Sequence, residues 1–440
     1  MSAAAQSDFF SFLHIDLNSF FASVEQQLHP EYRNRPLAVV PVMTDTTCCI
    51  AASYEAKALG IKTGTQVGEA KRICPEIVLI EGNHGEYTEY SNKIAEAVEL
   101  CCPVAHKPSI DEVVCQLMGR ECEPANARRI ALDIKQSIYK HAGEALRCSI
   151  GMAPNRYLAK IASDMQKPDG LIGLLPSQLP RSIAHLELRD LPGVGARTEK
   201  RLNAKGVHTM PQLLALDRTQ MHALWNSVWG DRLYHWLRGA DTGDDGAPVP
   251  SSEIQKSLGH SHVLSPELRN VEGAWAVAHK LLHKAAMRLR MEKFWAGSLS
   301  LTMRYALTKQ QAGQVKSRQH FSGVNHSGWG MEARFAECQD TLTLLEALRG
   351  MWVQRPQGGL FQRPFFVGIT LGRLVPESEH QDSLFADPEH RAELSATMDK
   401  LNLKYGHTTL HFAGMLPARS SAPTRIAFTQ IPVQYGVDYM

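Results

Sequence analysis

Three carboxylates in the first 112 residues stand where apolar runs begin or end. Asp16 closes the apolar stretch that leads into HIDLNSFF, and Asp111 and Glu112 lie side by side in KPSIDEVV. A carboxylate at the end of a buried strand either caps the following helix or offers oxygen to a hard cation. Three such groups drawn together would suit two magnesium ions. Those ions could hold triphosphate oxygens, lower the pKa of an attacking hydroxyl and stabilise charge developing on phosphorus. Neighbouring side chains of a strand point to opposite faces, so Asp111 and Glu112 can converge only at a strand end or a twist.

The elements that would position them follow from hydrophobic periodicity. Residues 9–16 suit a strand and 19–28 a helix. PLAVVPV at 36–42 and IVLIEG before residue 83 read as further strands, with short helices between them. Residues 87–100 and 123–145 read as helices, 110–118 and CSIGMA at 148–153 as strands, and RYLAKIASDM as a helix. Strands and helices alternate without a glycine-rich dinucleotide fingerprint or P-loop, so the class is α+β. From 171 to 238 the texture changes to short helices around LPGVG. There Gly193 and Gly195 permit a tight turn whose amides can face a phosphate, or an ordinary helix connection.

GADTGDDGAPVPSS, residues 239–252, has almost nothing to fill a core and marks a domain boundary. Residues 253–376 then run strand, helix (271–292), two strands joined around 307–317, helix (335–350) and strand (364–373). That βαββαβ order would bury one face of a four-stranded sheet against two helices. Lys280, Lys284, Arg288, Arg290 and Lys293 make the first helix basic, either as a solvated face or as a phosphate-facing one. A polar connector at 377–388 holds an isolated Leu-Phe pair, and a helix near 389–403 and one or two strands follow.

At 440 residues, 44% apolar content and a net charge of +2, the chain has material for two to four soluble domains. Near-neutral total charge does not exclude a nucleic-acid partner, since acidic and basic surfaces cancel in the sum. Nine cysteines without CxxC spacing read as reduced thiols, and the adjacent pairs Cys48–Cys49 and Cys101–Cys102 as packing residues. No stretch has the apolar length of a membrane span, and a cytoplasmic location is expected.

In this order and at these separations, HIDLNSFF, ASYEAKALGI, SIDE, GMAPNRYLAKIASDMQKPDG and LPGVG resemble the Y-family translesion DNA polymerases, the group of bacterial DNA polymerase IV and the UmuC-type enzymes. The resemblance implies a right-hand fold: a palm from 9–26 and 81–170, fingers at 27–80, and a thumb with a helix-hairpin-helix at 171–238. A linker at 239–252, a little finger at 253–376 and a C-terminal extension at 377–440 complete it. It implies Asp16, Asp111 and Glu112 as catalytic carboxylates, holding two magnesium ions with the Leu17 carbonyl. Phe20 and Phe21 would adjoin the nucleotide, Phe21 being the steric gate against a 2′-hydroxyl. Tyr54, Lys57 and Lys167 would contact the triphosphate, with Lys160 as a secondary candidate. Lys57 stands where arginine is common and cannot offer its planar fork; Asn18 stands where aspartate is common. Gly193, Gly195, Lys280, Lys284 and Arg288 would face DNA. QDSLF resembles a bacterial clamp-binding peptide, with Leu384 and Phe385 as apolar anchors and Gln381 as the polar one. The expected activity is template-directed synthesis past damaged bases by a monomer, with primer-template DNA, deoxynucleoside triphosphates and the sliding clamp as partners. A second reading is a catalytically weak DNA-binding accessory protein, whose clearest sign would be loss of the acidic triad.

Overall fold

Strand β1 (Phe12–Leu17) is buried along its whole length and forms the centre of a five-stranded sheet. In the computed structural model, residues 8–45, 47–243, 255–312, 319–321, 324–381, 389–406 and 409–419 are described. The chain divides into two units between Ser251 and Ser252.

The first unit continues from β1 through α1 (Phe20–Leu28), β2 (Leu37–Val40), β3 (Ala51–Ala52), α2 (Tyr54–Ala58), α3 (Val67–Ile73) and β4 (Val78–Glu81). The order β3-β2-β4 makes a separate small sheet with its own core around Val40, Ile61 and Val67, in the expected place of the fingers. Next come α4 (His84–Glu99), β5 (Val104–Ser109), β6 (Glu112–Gln116), α5 (Pro124–His141), β7 (Cys148–Ala153), α6 (Arg156–Met165) and β8 (Leu171–Gly173). The main sheet runs β5-β6-β1-β7-β8. Two strands depart from the expectations. β5 was not anticipated, because VAHKPS has no apolar alternation. β8 pairs in parallel with β7, so the sheet runs past the expected palm boundary at 170.

Alternation along β1 sorts its side chains. Leu13, Ile15 and Leu17 enter a core shared with α1, α4 and α5, while Phe12, His14 and Asp16 take the other face, which α6 covers. Helix α6 approaches closely because Gly151 has no Cβ: an added one would lie 2.0 Å from the Ala159 carbonyl oxygen. Four short helices complete the unit: α7 (Ala196–Asn203), α8 (Met210–Leu214), α9 (Arg218–Trp225) and α10 (Val228–Trp236). They share a core with α6, where Tyr157 stacks on Trp236 at 5.3 Å and donates its hydroxyl to the Pro192 carbonyl.

The second unit contains β9 (Ser257–Val263), α11 (Val271–Met291), β10 (Phe294–Ala306), the one-turn α12 (Lys309–Ala312), β11 (Gln319–Phe321), β12 (Val324–Cys338), α13 (Thr341–Val353), β13 (Pro364–Pro376) and α14 (Glu389–Tyr405). Its sheet runs β11-β12-β10-β13-β9, the expected four strands plus a short hairpin strand. The second helix begins later than expected because MEARFAEC alternates and remains strand to Cys338.

The basic helix is partly covered by the chain itself. α11 packs against the sheet on one side and a 3-10 segment, Ala413–Ala418, on the other. That 3-10 segment lies where one or two strands were expected. Lys280 is 5% exposed and donates to the Ala418 and Arg419 carbonyls. Arg290 forms a bidentate pair with Asp399 of α14, at 2.6 and 2.9 Å. Lys284 and Arg288 are half-buried near His260 of β9, and Arg288 also pairs with Glu292 at 2.6 Å. Lys280 and Arg290 are thus turned toward the chain's own carbonyls and carboxylate, while Lys284 and Arg288 stay half-buried. Among the described residues no helix is long and apolar enough to cross a membrane.

Candidate active site

Asp16 faces Glu112 directly across the antiparallel β1–β6 pair, one position from the end of β1. Directly paired residues hold their Cβ atoms about 4.5–5.5 Å apart on one face, so the sheet itself brings these two carboxylates together. Asp111 precedes Glu112 in the two-residue turn between β5 and β6. Its carbonyl accepts the Leu17 amide and its Oδ1 accepts the Ser109 hydroxyl at 2.6 Å. The adjacent acids therefore escape strand alternation because one of them lies in a turn.

His14 joins the cluster from the same face of β1, and ligand atoms of His14, Asp16 and Glu112 lie within 4.8 Å of one another. This histidine was not foreseen, although its place two residues before Asp16 on a strand puts it on the same face. Asp111, by contrast, is turned toward Ser109 and stands outside that group.

Two lysines reach into the acids. Lys160 of α6 places Nζ 2.6 Å from both Asp16 Oδ2 and Glu112 Oε1; Lys167 places its own 2.6 Å from Asp16 Oδ1 and 2.8 Å from Asp164. Burial alone would lower both ammonium pKa values, but Asp16 and its neighbouring carboxylates raise them instead. Burial pushes the Asp111 carboxyl up, helped by Glu112 and Asp16 and opposed by the Ser109 hydrogen bond. For Glu112 burial acts in the same direction, yet His14 and Lys160 hold it well below the usual carboxylate range. Oxygen donors crowded with cations fit hard divalent ions: the two ammonium groups occupy positions where this carboxylate pair demands positive charge.

Beside this cluster lie the other expected residues. Lys57 donates to the Ser19 hydroxyl at 2.7 Å and lies over the Tyr54 ring. Desolvation, with Lys167 nearby, lowers its pKa. Phe21 is 4% exposed and stacks on Tyr87 at 4.2 Å; the Tyr87 hydroxyl donates to Glu25 at 2.6 Å. Phe20 is also buried in the core. The first-turn amides of α1 have no acceptor inside the helix, and such an end favours phosphate. Asn18 has a different task from metal binding. Its Oδ1 accepts the Asp169 amide at 2.7 Å and its Nδ2 donates to Ser149 at 3.1 Å, which fixes the turn carrying Lys167.

Toward the short-helix region, a cavity of about 390 Å³ runs from Lys160 and Asp164 to Gly193, Val194 and Gly195. Gly193 takes the left-handed φ of +86° that its turn requires, and Gly195 precedes α7. Gln381 is exposed; Leu384 and Phe385 lie outside the described residues.

The comparisons with known proteins agree with this arrangement. Residues 15–164 match the sequence model of the impB/mucB/samB family, 255–384 that family's C-terminal domain, and 189–241 the thumb domain of DNA polymerase-iota. The DNA polymerase IV of Moorella thermoacetica is 31% identical over 410 residues, covering 92% of this chain and 95% of that protein. DNA polymerase IV 1 of Bacillus subtilis is 34% identical over 298 residues, 67% of this chain and 70% of its own. Among solved structures, a Y-family DNA polymerase chimera superposes with a TM-score of 0.65 at 21% identity, covering 83% of this chain and 99% of the chimera, a likeness of fold. With the carboxylate pair set by strand register and the matches spanning both units, the chain belongs to the Y-family DNA polymerases, in the group that includes DNA polymerase IV and the UmuC-like proteins.

Proposed function

We propose that the chain extends a primer by template-directed addition of deoxynucleotides, including opposite damaged bases. The observation that carries this is the Asp16–Glu112 register beside the Asp111 turn, with Lys57 and Lys167 adjoining it. Asp16, Asp111, Glu112 and the Leu17 carbonyl would hold two magnesium ions. When bound, these supply charge to the attacking and leaving oxygens of an in-line displacement. Lys167, Lys57 and the α1 amides orient the triphosphate. Phe21 closes the sugar side. The primer 3′-hydroxyl attacks the α-phosphorus, the bond to the β-phosphate oxygen breaks, and pyrophosphate leaves. All three acids of the triad are present, so the accessory reading lacks its distinguishing mark.

DNA contact in the first unit is assigned to the Gly193–Gly195 turn and the cavity joining it to Lys160, a path for the primer backbone. In the second unit the helices cover one sheet face. The other face presents Ser300, Thr302 and Arg304 of β10, Glu332 and Arg334 of β12, Thr370 of β13 and Ser261 of β9, with Thr302 between Gly330 and Gly368, Ser300 facing Glu332, and Arg304 lying over the Phe366 ring. Small hydroxyl side chains and arginines suit a sugar-phosphate backbone, and this face takes the role first expected of α11.

Damage bypass is tested by extending a primer across a template abasic site. Insertion opposite the gap at a rate within about 100-fold of that on intact template is expected; arrest one nucleotide before it, with normal synthesis elsewhere, would reject bypass. Recruitment to the sliding clamp through Gln381, Leu384 and Phe385 is tested by titrating clamp against a variant with both apolar anchors changed to alanine. Each anchor is worth about 1.5–3 kcal/mol before ordering costs, so affinity should fall at least about tenfold. Equal affinity would remove the assignment.

A further inference from the structure

A polar cavity of about 410 Å³ adjoins the proposed triphosphate contacts, its lining including Asn18, Tyr54, Pro168, Arg33 and Arg147. Its charges balance, two against two, with Arg33 and Arg147 set against Glu55 and Glu144, of which Arg33 and Glu144 are paired. At Tyr139 and Arg147 it adjoins a larger cavity of about 760 Å³ that also includes Lys135, Lys140 and Asp169. There three cations meet one carboxylate, and that carboxylate is taken by Lys135 at 2.6 Å. Lys140 and Arg147 are exposed and have no ion-pair partner among the described residues. Lys140 stands in the last turn of α5, where the helix dipole favours a cation. Arg147 has no such compensation, and its carbonyl is bonded to the Asn18 amide, which fixes its backbone beside the acidic cluster.

The two cavities thus connect Tyr54, and the turn that carries Lys167, to an outer basic basin. We propose that this basin receives inorganic pyrophosphate after bond formation, with Arg147 and Lys140 drawing the leaving diphosphate away from Lys57 and Lys167. The inference rests on the polymerase reading. In the forward reaction the 3′-oxygen bonds to the α-phosphorus, the hydroxyl proton passes to solvent, and the leaving oxygen keeps its electron pair as pyrophosphate departs. In the reverse reaction a pyrophosphate oxygen attacks the terminal phosphodiester and releases a deoxynucleoside triphosphate. A basin for the product is read in both directions, whereas a contact to the incoming nucleotide would alter nucleotide KM as well.

The test compares the full chain with the double variant Lys140→Gln, Arg147→Gln. Calorimetric titration with magnesium pyrophosphate is expected to show affinity reduced about five- to tenfold in the variant. The pyrophosphate concentration that half-saturates primer shortening should rise by the same factor, with the nucleotide KM for extension moving less than about twofold. Unchanged pyrophosphate affinity overturns the proposal, and so does an equal rise in nucleotide KM. Orthophosphate serves as the control: an equal loss of its binding would make the basin a general anion surface and also overturn the assignment. If the intact protein extends no primer, the polymerase reading fails by itself, while the calorimetric comparison still decides whether the basin takes pyrophosphate.

Discussion

The role proposed for Phe21 pulls against its packing. The proposed steric gate would need its ring to meet the sugar of an incoming nucleotide, yet it is buried and stacked on Tyr87, whose hydroxyl is tied to Glu25. Removing a buried phenylalanine side chain costs about 3–5 kcal/mol, so Phe21→Ala tests folding and selectivity together. Phe21→Leu keeps most of the apolar volume while withdrawing the flat ring edge. The ratio of ribonucleotide to deoxyribonucleotide incorporation should rise roughly 10–100-fold in the leucine variant, measured by single-nucleotide insertion. An unchanged ratio in a folded, active variant would deny Phe21 its steric role. Asn18 is the contrasting residue. In sequence it was a departure at a position where aspartate is common; in the structure its side chain orients the Asp169 turn. The acids themselves were legible in sequence, since Asp16 and the Asp111–Glu112 pair each end or begin an apolar run. That Glu112 pairs with Asp16 while Asp111 turns toward Ser109 was not, because register depends on contacts between segments about a hundred residues apart.

At the scale of elements, periodicity was most informative where one face is buried and the other is not. β1, β7 and α6 lie close to where the pattern put them. β5 escaped notice because His106, Lys107 and Pro108 interrupt it, and pairing with β6 alone makes it a strand. α11 is more covered than its charges alone suggest. Lysine and arginine at helical spacing indicate solvent only if nothing else in the chain covers them, and here the 413–418 segment and α14 do so. This covering has a consequence for pH. His279 and His283 lie on α11, where Gly414 and Phe412 pack against their rings. Burial, reinforced for His279 by Arg349 and for His283 by His279, Arg290 and His411, lowers their pKa values to about 4 and about 3. The unfolded chain, with histidines near their ordinary value of about 6.5, then binds more protons than the folded one as pH falls below that value. Stability of the second unit should therefore be full above about pH 6.5 and decline by about 1.4 kcal/mol per pH unit for each histidine down toward pH 4. Denaturant unfolding of the full chain followed between pH 7 and 4.5 checks this, with His283→Phe expected to flatten the decline. A slope identical in the two proteins would show that His283 is not kept neutral by its surroundings.

The whole molecule presents two folded units joined by a stretch that cannot build a core, as GADTGDDGAPVPSS indicates. The groups proposed for catalysis lie in the first unit: the sheet supplies Asp16 and Glu112, the turn before β6 Asp111, α6 and the turn after it two lysines, and α2 the third. The polymerase reading depends most on the proposal that Asp111 completes a divalent site with Asp16 and Glu112. It is measured most directly by single-nucleotide incorporation into a primer-template with magnesium, comparing the intact chain with Asp111→Ala, whose folding is verified by thermal unfolding. Intact protein should add the templated nucleotide, and the variant should lose at least about 100-fold in rate while still binding DNA. Equal rates in the two proteins, or no incorporation by the intact chain despite DNA binding, would contradict the catalytic assignment.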